Sequence, residues 1–589
     1  MYRPALLRCI ALMAAAGLSL AGAWLFLRFT GEGGLNALDL VRFVLVAVSG
    51  FWLVWGSTAA VLGVFTPERR PTPVQTPLKS RTAVLVPIYN EDPVATFSRV
   101  AAMNRSLVRL GAAEHFHFAI LSDTQAIELA AEEVVQFERL ITEPLSEGRI
   151  FYRRRERNVG RKAGNIEDFV SRSGGAYDFA LILDADSLME GETIVAMARR
   201  LEDDPRLGLL QTVPTIINAR TLFGRSIQFA AAYLSPTFAR GAGLMQGAEG
   251  PYWGHNAMVR MRAFAASCGL PELSGTPPFG GHILSHDYVE AALLSRAGWT
   301  VAVDPALKGS YEEAPDNLIE YAKRDRRWCQ GNLQHGRLLL APGLKAWSRF
   351  TFVQGIMAYL ASPFWLLLLV ASIAGAMLPN LPALLPGFEP SAIPMWVLGA
   401  AVAAILVVPK LMILVRGLFD GQNRRFGGTP TVLLSVLGEI VLSTLLAPTM
   451  LLMQSRSVVQ VLLRLDGGWP ATQRGQTLVP LGDALRASWW MVAIAAVALG
   501  SMLIAAPQAA LWLAPATLPA MLAPLLIWAT SRPTRRALPR LFRSDMEAAP
   551  SPVIVEQRRL LAAWTQPRTA IEGRAAPAAV TRTSPHVVA

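Results

Sequence analysis

The chain has 589 residues, of which 52% are hydrophobic and 17% charged, with a formal net charge of +12. That average conceals membrane-like ends around an ordinary soluble middle, and the length allows more than one domain. The basic balance follows the bias of Lys and Arg toward cytoplasmic segments of membrane proteins rather than a nucleic-acid partner, and Cys9, Cys268 and Cys329, far apart and without CxxC spacing, exclude a disulfide framework and a cysteine zinc site.

Met1 to Arg8 carries two arginines, and Cys9 to Leu27 is free of charge. A cleaved signal peptide is the rival reading, because Ala21-Gly22-Ala23 resembles a small-residue cleavage site. The apolar run continues past it, and a second run follows from Phe43 to Phe65. Two membrane helices are therefore predicted within residues 1–65, each long enough for a hydrocarbon core of about 30 Å. Arg3, Arg8, Arg69, Arg70, Lys79 and Arg81 put both flanks in the cytoplasm.

Residues 66–348 are predicted to form a cytoplasmic α/β domain, globular in composition from about Arg81 to Trp347. Strand-like runs at Thr82–Ile88, His117–Ser122, Arg149–Tyr152, Phe179–Leu183 and Gly208–Thr212 alternate with helical spacing, as in Pro93–Leu110 and Thr124–Leu145. This rhythm implies a mainly parallel, Rossmann-like sheet.

Residues 349–530 turn apolar again. Thr351–Leu378, Pro394–Val415, Ser488–Pro507 and Ala509–Thr530 are predicted to span, which makes six spans with both termini cytoplasmic. The segment 431–466 contains Glu439 and Pro448 and precedes a basic stretch, so a helix lying at the interface keeps the charge parity. The tail 531–589 has ten Arg and no Lys, and is expected to be largely disordered, solvated or drawn to anionic lipid.

The apolar run Phe179–Leu183 drives into Asp184-Ala185-Asp186. Carboxylates two apart at a strand end point the same way, at the edge where open α/β sheets bind ligands. They repel unless a cation sits between them, and Mg²⁺ (or Mn²⁺) bridging carboxylate to phosphate meets that need. Two solvated acids are the plainer alternative. Asn90 and Glu91 after the first strand, and Asp123 after the second, could hold a nucleoside or cap the following helix. Lys162 opens a helix whose free N–H groups suit a phosphate, or belongs to a surface basic cluster. Asp287, in Ser285-His286-Asp287, could be a general base. His282 and His286 are four apart but lack the pattern of a third zinc ligand. Arg327 and Trp328 could clamp a diphosphate and stack on a sugar, or bind lipid headgroups.

In this order, Pro87-Ile88-Tyr89-Asn90-Glu91, Asp123, Asp184-Ala185-Asp186, Asp287 and Arg327-Trp328 resemble processive family 2 glycosyltransferases such as cellulose and hyaluronan synthases. Tyr252-Trp253-Gly254-His255-Asn256-Ala257, Ser285-His286-Asp287 and Arg326 to Asn332 resemble, within them, the synthases of osmoregulated periplasmic glucans in Gram-negative bacteria. The resemblance implies a GT-A-like domain inserted between transmembrane helices of a bacterial inner-membrane protein. It implies UDP-glucose as donor, a growing β-glucan (β-1,2) as acceptor and product, and export across the bilayer. Asn90, Glu91, Asp123, Lys162, Asp184, Arg327 and Trp328 would serve the nucleotide sugar, Asp186 the metal, and Asp287 would be the base. It further implies acyl carrier protein and a periplasmic glucan-processing protein as partners, and a gating loop near 467–486, where an ordinary interfacial loop is the alternative. Arg324 stands where the Gln-x-x-Arg-Trp motif has glutamine. A polyprenyl-phosphate glycosyltransferase is the competing enzyme, and a transporter or receptor with a degenerate nucleotide-sugar domain the non-catalytic alternative; Arg327-Trp328 argues against the first, the retained acids against the second.

Overall fold

The computed structural model describes residues 2–30, 34–68, 77–378, 380–385, 393–465, 478–534 and 538–566. The strands of the soluble middle are β1 (Thr82–Ile88), β2 (Phe116–Ser122), β3 (Ile150–Arg154), β4 (Phe179–Ile182) and β5 (Leu188–Met189), followed by β6 (Leu207–Gln211), β7 (Thr215–Ile217), β8 (Ala257–Arg260), β9 (Thr300–Val303) and β10 (Ser310–Glu313). Seven of them form one sheet in the order β3-β2-β1-β4-β8-β6-β9, and β5-β10-β7 form a small second sheet beside it. All neighbours in the large sheet are parallel except β8, which runs antiparallel to both β4 and β6. The domain is thus built on a mostly parallel sheet, as the alternation of elements predicts, and has the GT-A-like form that the resemblance implies.

The order follows from burial. Ala83 to Val86 and Phe179 to Leu183 are at most 2% exposed, so β1 and β4 are covered on both faces, which is why their sequences show no polar alternation. Val84, Val86, Phe118 and Leu181 pack with Phe97 and Met197 on one side. Ala83, Leu85 and Ile182 pack with Ile166, Phe169 and Leu294 on the other. The register places Ile88 opposite Ser122 and Leu85 opposite Ile182. The next residues continue the ladder, with Asp123 N–H donating to Ile88 O at 2.9 Å and Leu183 N–H to Leu85 O at 3.0 Å. Asp123 and Asp184 therefore leave the sheet at the same edge.

Among the described residues, six helices are long and apolar enough to cross a membrane: Pro4–Thr30 within Tyr2–Thr30, Ala37–Val64, Ala346–Met377, Trp396–Phe419, Thr429–Leu462 and Leu481–Ala505. The chain is accordingly a multi-pass membrane protein. One of the six expected spans is not in this set, and one helix expected to lie at the interface is. Ala509–Thr530 is broken into Pro507–Met521 and Ala523–Thr530, bent by 52°. Pro519 lies inside the first piece and Pro524 at the start of the second, and proline supplies no N–H to carry the ladder across the break. Thr429–Leu462, expected to lie at the interface, is one 34-residue helix that meets the length criterion. At 1.5 Å per residue it is about 51 Å long, well beyond a 30 Å core.

Its contacts run along the soluble domain. Val432 and Val436 pack with Phe229 and Tyr233, Leu446 with Phe223 and Leu318, and Val458 and Val461 with Cys329 and Leu333. Both ends and the middle thus touch the α/β domain. Arg326 Nε donates to Gln460 Oε1 at 2.8 Å, and Lys410 Nζ lies 2.5 Å from Glu439 Oε2 of the same long helix.

The tail departs from expectation in its described part. Pro552–Thr565 is a helix packed on Pro93–Arg109, with Val553, Ile554, Leu560 and Trp564 buried in the sheet's core cluster. Arg105 Nη1 bonds Glu556 Oε1 at 2.5 Å, and the Arg139 guanidinium lies 4.7 Å from the Trp564 ring centre. Averaging composition over the whole tail concealed this amphipathic stretch. Of the expected gating loop near 467–486, residues 467–477 lie outside the described residues and 481–486 open the helix Leu481–Ala505; the tail beyond 566 also lies outside them.

Candidate active site

The turn leaving β4 presents the two carboxylates. Asp184 N–H donates to Ser187 Oγ at 2.9 Å, and Ser187 N–H to Asp184 O at 3.0 Å, which closes the turn. The buried guanidinium of Arg99 holds the Ala185 carbonyl at 3.0 Å. Asp186 is 8% exposed, whereas the Asp184 side chain is 40% exposed and ion-paired with Lys162 Nζ. Lys162, from the first turn of Arg161–Ser173, also donates to Gly254 O at 2.7 Å.

Gly254 joins the donor side of the site to the expected base. Its φ is +86°, and a Cβ built there would lie 3.3 Å from Asp287 Oδ2. Asp287 sits in the first turn of His286–Arg296, a helix located by Gly331 of Leu318–Gln334 packing against Ser285. Burial raises the Asp287 carboxyl above the ordinary aspartate range; His286 and Lys162 partly oppose the rise, and Glu290 adds to it. Asp184, Lys162, Gly254 and Asp287 therefore form one chain of contacts from the β4 edge to the base helix.

A second pair, not anticipated from sequence, borders the acids. His255 Nε2 lies 3.4 Å from Glu312 Oε2 on β10. Burial pulls the His255 imidazole down, but the charges of Glu312, Asp184 and Asp186 outweigh it and raise its pKa. Glu312 is raised by burial and held back chiefly by His255, with Asp186 raising it further and Arg324 lowering it. Only the folding of β10 beside the turn after β4 brings Glu312 here.

The residues expected on the nucleoside side divide. Asp123 is 3% exposed and bound bidentately by Arg155, Nε to Oδ1 at 2.7 Å and Nη2 to Oδ2 at 2.8 Å. Arg155, one residue beyond β3, was missed by sequence reasoning; the run Arg153-Arg154-Arg155 was its only signal. Asn90, at φ +51°, accepts from the N–H groups of Gln125 and Ala126 at 3.1 Å each, lacing the ends of β1 and β2 together. It does not cap the next helix; Asp92 does, accepting from Ala95 N–H at 3.1 Å. A carboxylate one residue before Pro93 reaches the helix's free N–H groups, which Asn90 in its left-handed conformation does not. Glu91 is half-buried on the same turn.

Arg327 and Trp328 lie on Leu318–Gln334, the helix that packs against the base helix through Gly331. Trp328 is 41% exposed, and the Arg324 guanidinium stacks over its ring at 4.6 Å. The departure at Arg324 is thus a cation–π partner for the motif tryptophan, close enough to Glu312 for their charges to interact. Among the aromatics of the membrane helices, Tyr359 is buried against Cys329 and Leu333, Trp365 is half-buried, and Trp489 is 64% exposed.

Among the described residues no three His, Cys, Asp or Glu side chains are gathered as a metal cage. His286 is buried on Glu290 while His282 is exposed, so the two histidines share no ligand set. The turn's hard-oxygen donors fit a divalent ion that takes one or two carboxylates and completes its shell from phosphate and water.

A mostly parallel sheet with two carboxylates at its C-terminal edge and a third, half-buried one linked to them through Lys162 and Gly254 defines a glycosyltransferase of the GT-A type. The family model described as "Glycosyl transferase family 2" matches residues 83–267, and "Glycosyl transferase family group 2" matches 179–413. The glucans biosynthesis glucosyltransferase H of Cereibacter sphaeroides is 53% identical over 566 residues, covering 94% of this chain and 95% of its own. That of Vibrio cholerae is 42% identical over 477 residues, covering 78% of this chain and 66% of its own. A mannosyltransferase from Pyrobaculum calidifontis, solved with GDP-Man and Mn²⁺, aligns over 65% of this chain and 99% of its own at 15% identity and TM-score 0.40. The chain belongs to the glucans biosynthesis glucosyltransferase H family.

Proposed function

We propose that the protein polymerises glucose from UDP-glucose into the β-glucan backbone, with β-1,2 linkage, of osmoregulated periplasmic glucans. In this reading the α/β domain and both termini are cytoplasmic, the helices lie in the bacterial inner membrane, and Thr429–Leu462 runs along the bilayer surface beneath the domain. Contact of that helix with the domain at both ends and the middle supports the last point. The observation that carries the chemistry is the approach of Asp287 to the Asp184 side of the site through Gly254 and Lys162.

The acceptor hydroxyl attacks the anomeric carbon, and its proton passes to a carboxylate oxygen of Asp287. The new C1–O bond forms as the bond to the diphosphate breaks on the opposite face, so the α-linked donor gives a β-linked product. UDP departs with the bonding electron pair. A Mg²⁺ or Mn²⁺ ion held by Asp186 would supply charge stabilisation on the diphosphate. Lys162 orients Asp184 and, with Arg327, offers cationic groups toward the leaving group. The half-exposed face of Trp328 is available to stack on a sugar ring. The membrane helices then receive the chain for export, and acyl carrier protein and a periplasmic processing protein are partners by kinship only.

UDP release from UDP-glucose by the purified protein in detergent tests the reading. EDTA should abolish release, and Mg²⁺ or Mn²⁺ should restore it. Asp287→Asn should lower turnover by about 10²- to 10⁴-fold, the usual worth of a general base, while UDP binding stays near wild type. Equal loss of turnover and UDP binding in folded Asp287→Asn protein would reject Asp287 as the base.

A further inference from the structure

Beside Asp287 lies a buried ion pair that the proposed mechanism leaves unused. His286 Nδ1 is 3.1 Å from Glu290 Oε1, one helical turn further on, and the two side chains are 11% and 4% exposed. His286 immediately precedes Asp287, and Glu290 follows it by three, so both members share the first turns of the base's own helix. Among the described residues Glu290 Oε2, the fully buried Tyr252 hydroxyl and His286 Nδ1 have no hydrogen-bond partner, so the His286–Glu290 contact is an ion pair within a polar cluster built into an apolar setting.

The charged and titratable groups facing the pair come from four places. Asp287 and Tyr288 share its helix, and Lys162 comes from the helix Arg161–Ser173. Tyr252 comes from the segment before β8, in the fields of Glu290, Asp287 and Asp184. Cys268 comes from the end of Met261–Ser267, its Sγ 3.7 Å from Glu290 O. Burial acts against the imidazolium of His286, but the Glu290 carboxylate 3.1 Å away, and then Asp287, outweigh it and raise its pKa. The imidazolium is in turn the strongest influence holding Asp287 down against burial.

We infer that His286 is a positioning residue for the base: anchored on Glu290, it supplies the positive charge beside which Asp287 accepts the acceptor's proton. The inference rests on the proposed role of Asp287. It explains why a buried carboxylate three residues after the base has an imidazole as its neighbour rather than a solvent path. Removing the cation alone would leave Asp287 facing the Glu290 anion. Removing both members would leave it with neither.

The test is the pH profile of UDP release by the full-length protein in detergent, for wild type, His286→Gln and the double variant His286→Gln/Glu290→Gln. In His286→Gln the acid limb of kcat/KM should move up by about one pH unit, a roughly tenfold loss below the limb with recovery above it. The double variant should return most of the way, because the opposing anion is gone. The limb's position does not depend on the folded fraction, so a poor yield of either variant leaves the result readable. An unmoved limb in His286→Gln, a limb equally displaced in the double variant, or activity lost at every pH in folded protein would overturn the inference. Undiminished turnover of Asp287→Asn would instead overturn the base assignment, so the two failures are distinguishable.

Discussion

Gly254→Ala is a sharp probe of the site, because one methyl tests both the backbone and the base. The residue has φ +86°, where an L side chain is strained, and the added Cβ would stand 3.3 Å from Asp287 Oδ2 and 3.5 Å from its Cβ. The strain alone costs about 1–3 kcal/mol. Contact at 3.3 Å requires the Asp287 carboxylate to give by a few tenths of an ångström. A 1 Å displacement of a reacting group costs about 10²-fold, so a shift of that smaller size should lower kcat by roughly 3- to 10-fold. Movement of the Gly254 carbonyl off Lys162 adds to the loss by loosening Asp184. The combined expectation is about 10- to 30-fold in kcat with KM for UDP-glucose changed less than threefold, measured as UDP release in detergent. Wild-type kcat in Gly254→Ala would refute the contact chain from Lys162 to Asp287. A loss wholly in KM would assign Gly254 to donor binding instead.

Arg155→Ala should be among the most damaging changes outside the acids, since it strands the buried Asp123 carboxylate; removal of one partner of a buried pair costs about 3–5 kcal/mol. Thermal unfolding in detergent with and without UDP checks it, and an unchanged midpoint would show that Asp123 does not need its partner. Trp564→Ala should cost about 3–5 kcal/mol through loss of a buried aromatic and its arginine stack. A midpoint equal to wild type would mean that the tail helix does not bear on the domain's stability.

The chain's two-part character was legible because its periodicities are strong. Long charge-free runs read as membrane helices, and short buried runs alternating with helical spacing read as a parallel sheet. The acids were legible because their spacing at a strand end is itself the chemical signal. Less visible were β8, β9 and β10, short strands whose place is set by neighbours distant in sequence. Thr429–Leu462 illustrates the same limit: hydropathy reports how apolar a helix is, while its course along the domain depends on which side chains it meets.

The sequence by itself determined the division into membrane and soluble segments, the first strands of the sheet, and the candidates Asp184, Asp186, Asp287 and Arg327-Trp328, because each is a local pattern of residue type and spacing. Tertiary structure alone decided that Arg155 would lock Asp123, that Glu312 would cross from a second sheet to His255, and that Pro552–Thr565 would return to the back of the domain. These contacts join residues dozens to hundreds of positions apart. Their energies come from pairing buried charge and covering apolar surface, and neither exists until the chain has brought the partners together. Asp184 and Asp287 belong to both accounts: their identities were written locally, while their meeting across Gly254 was a product of the fold.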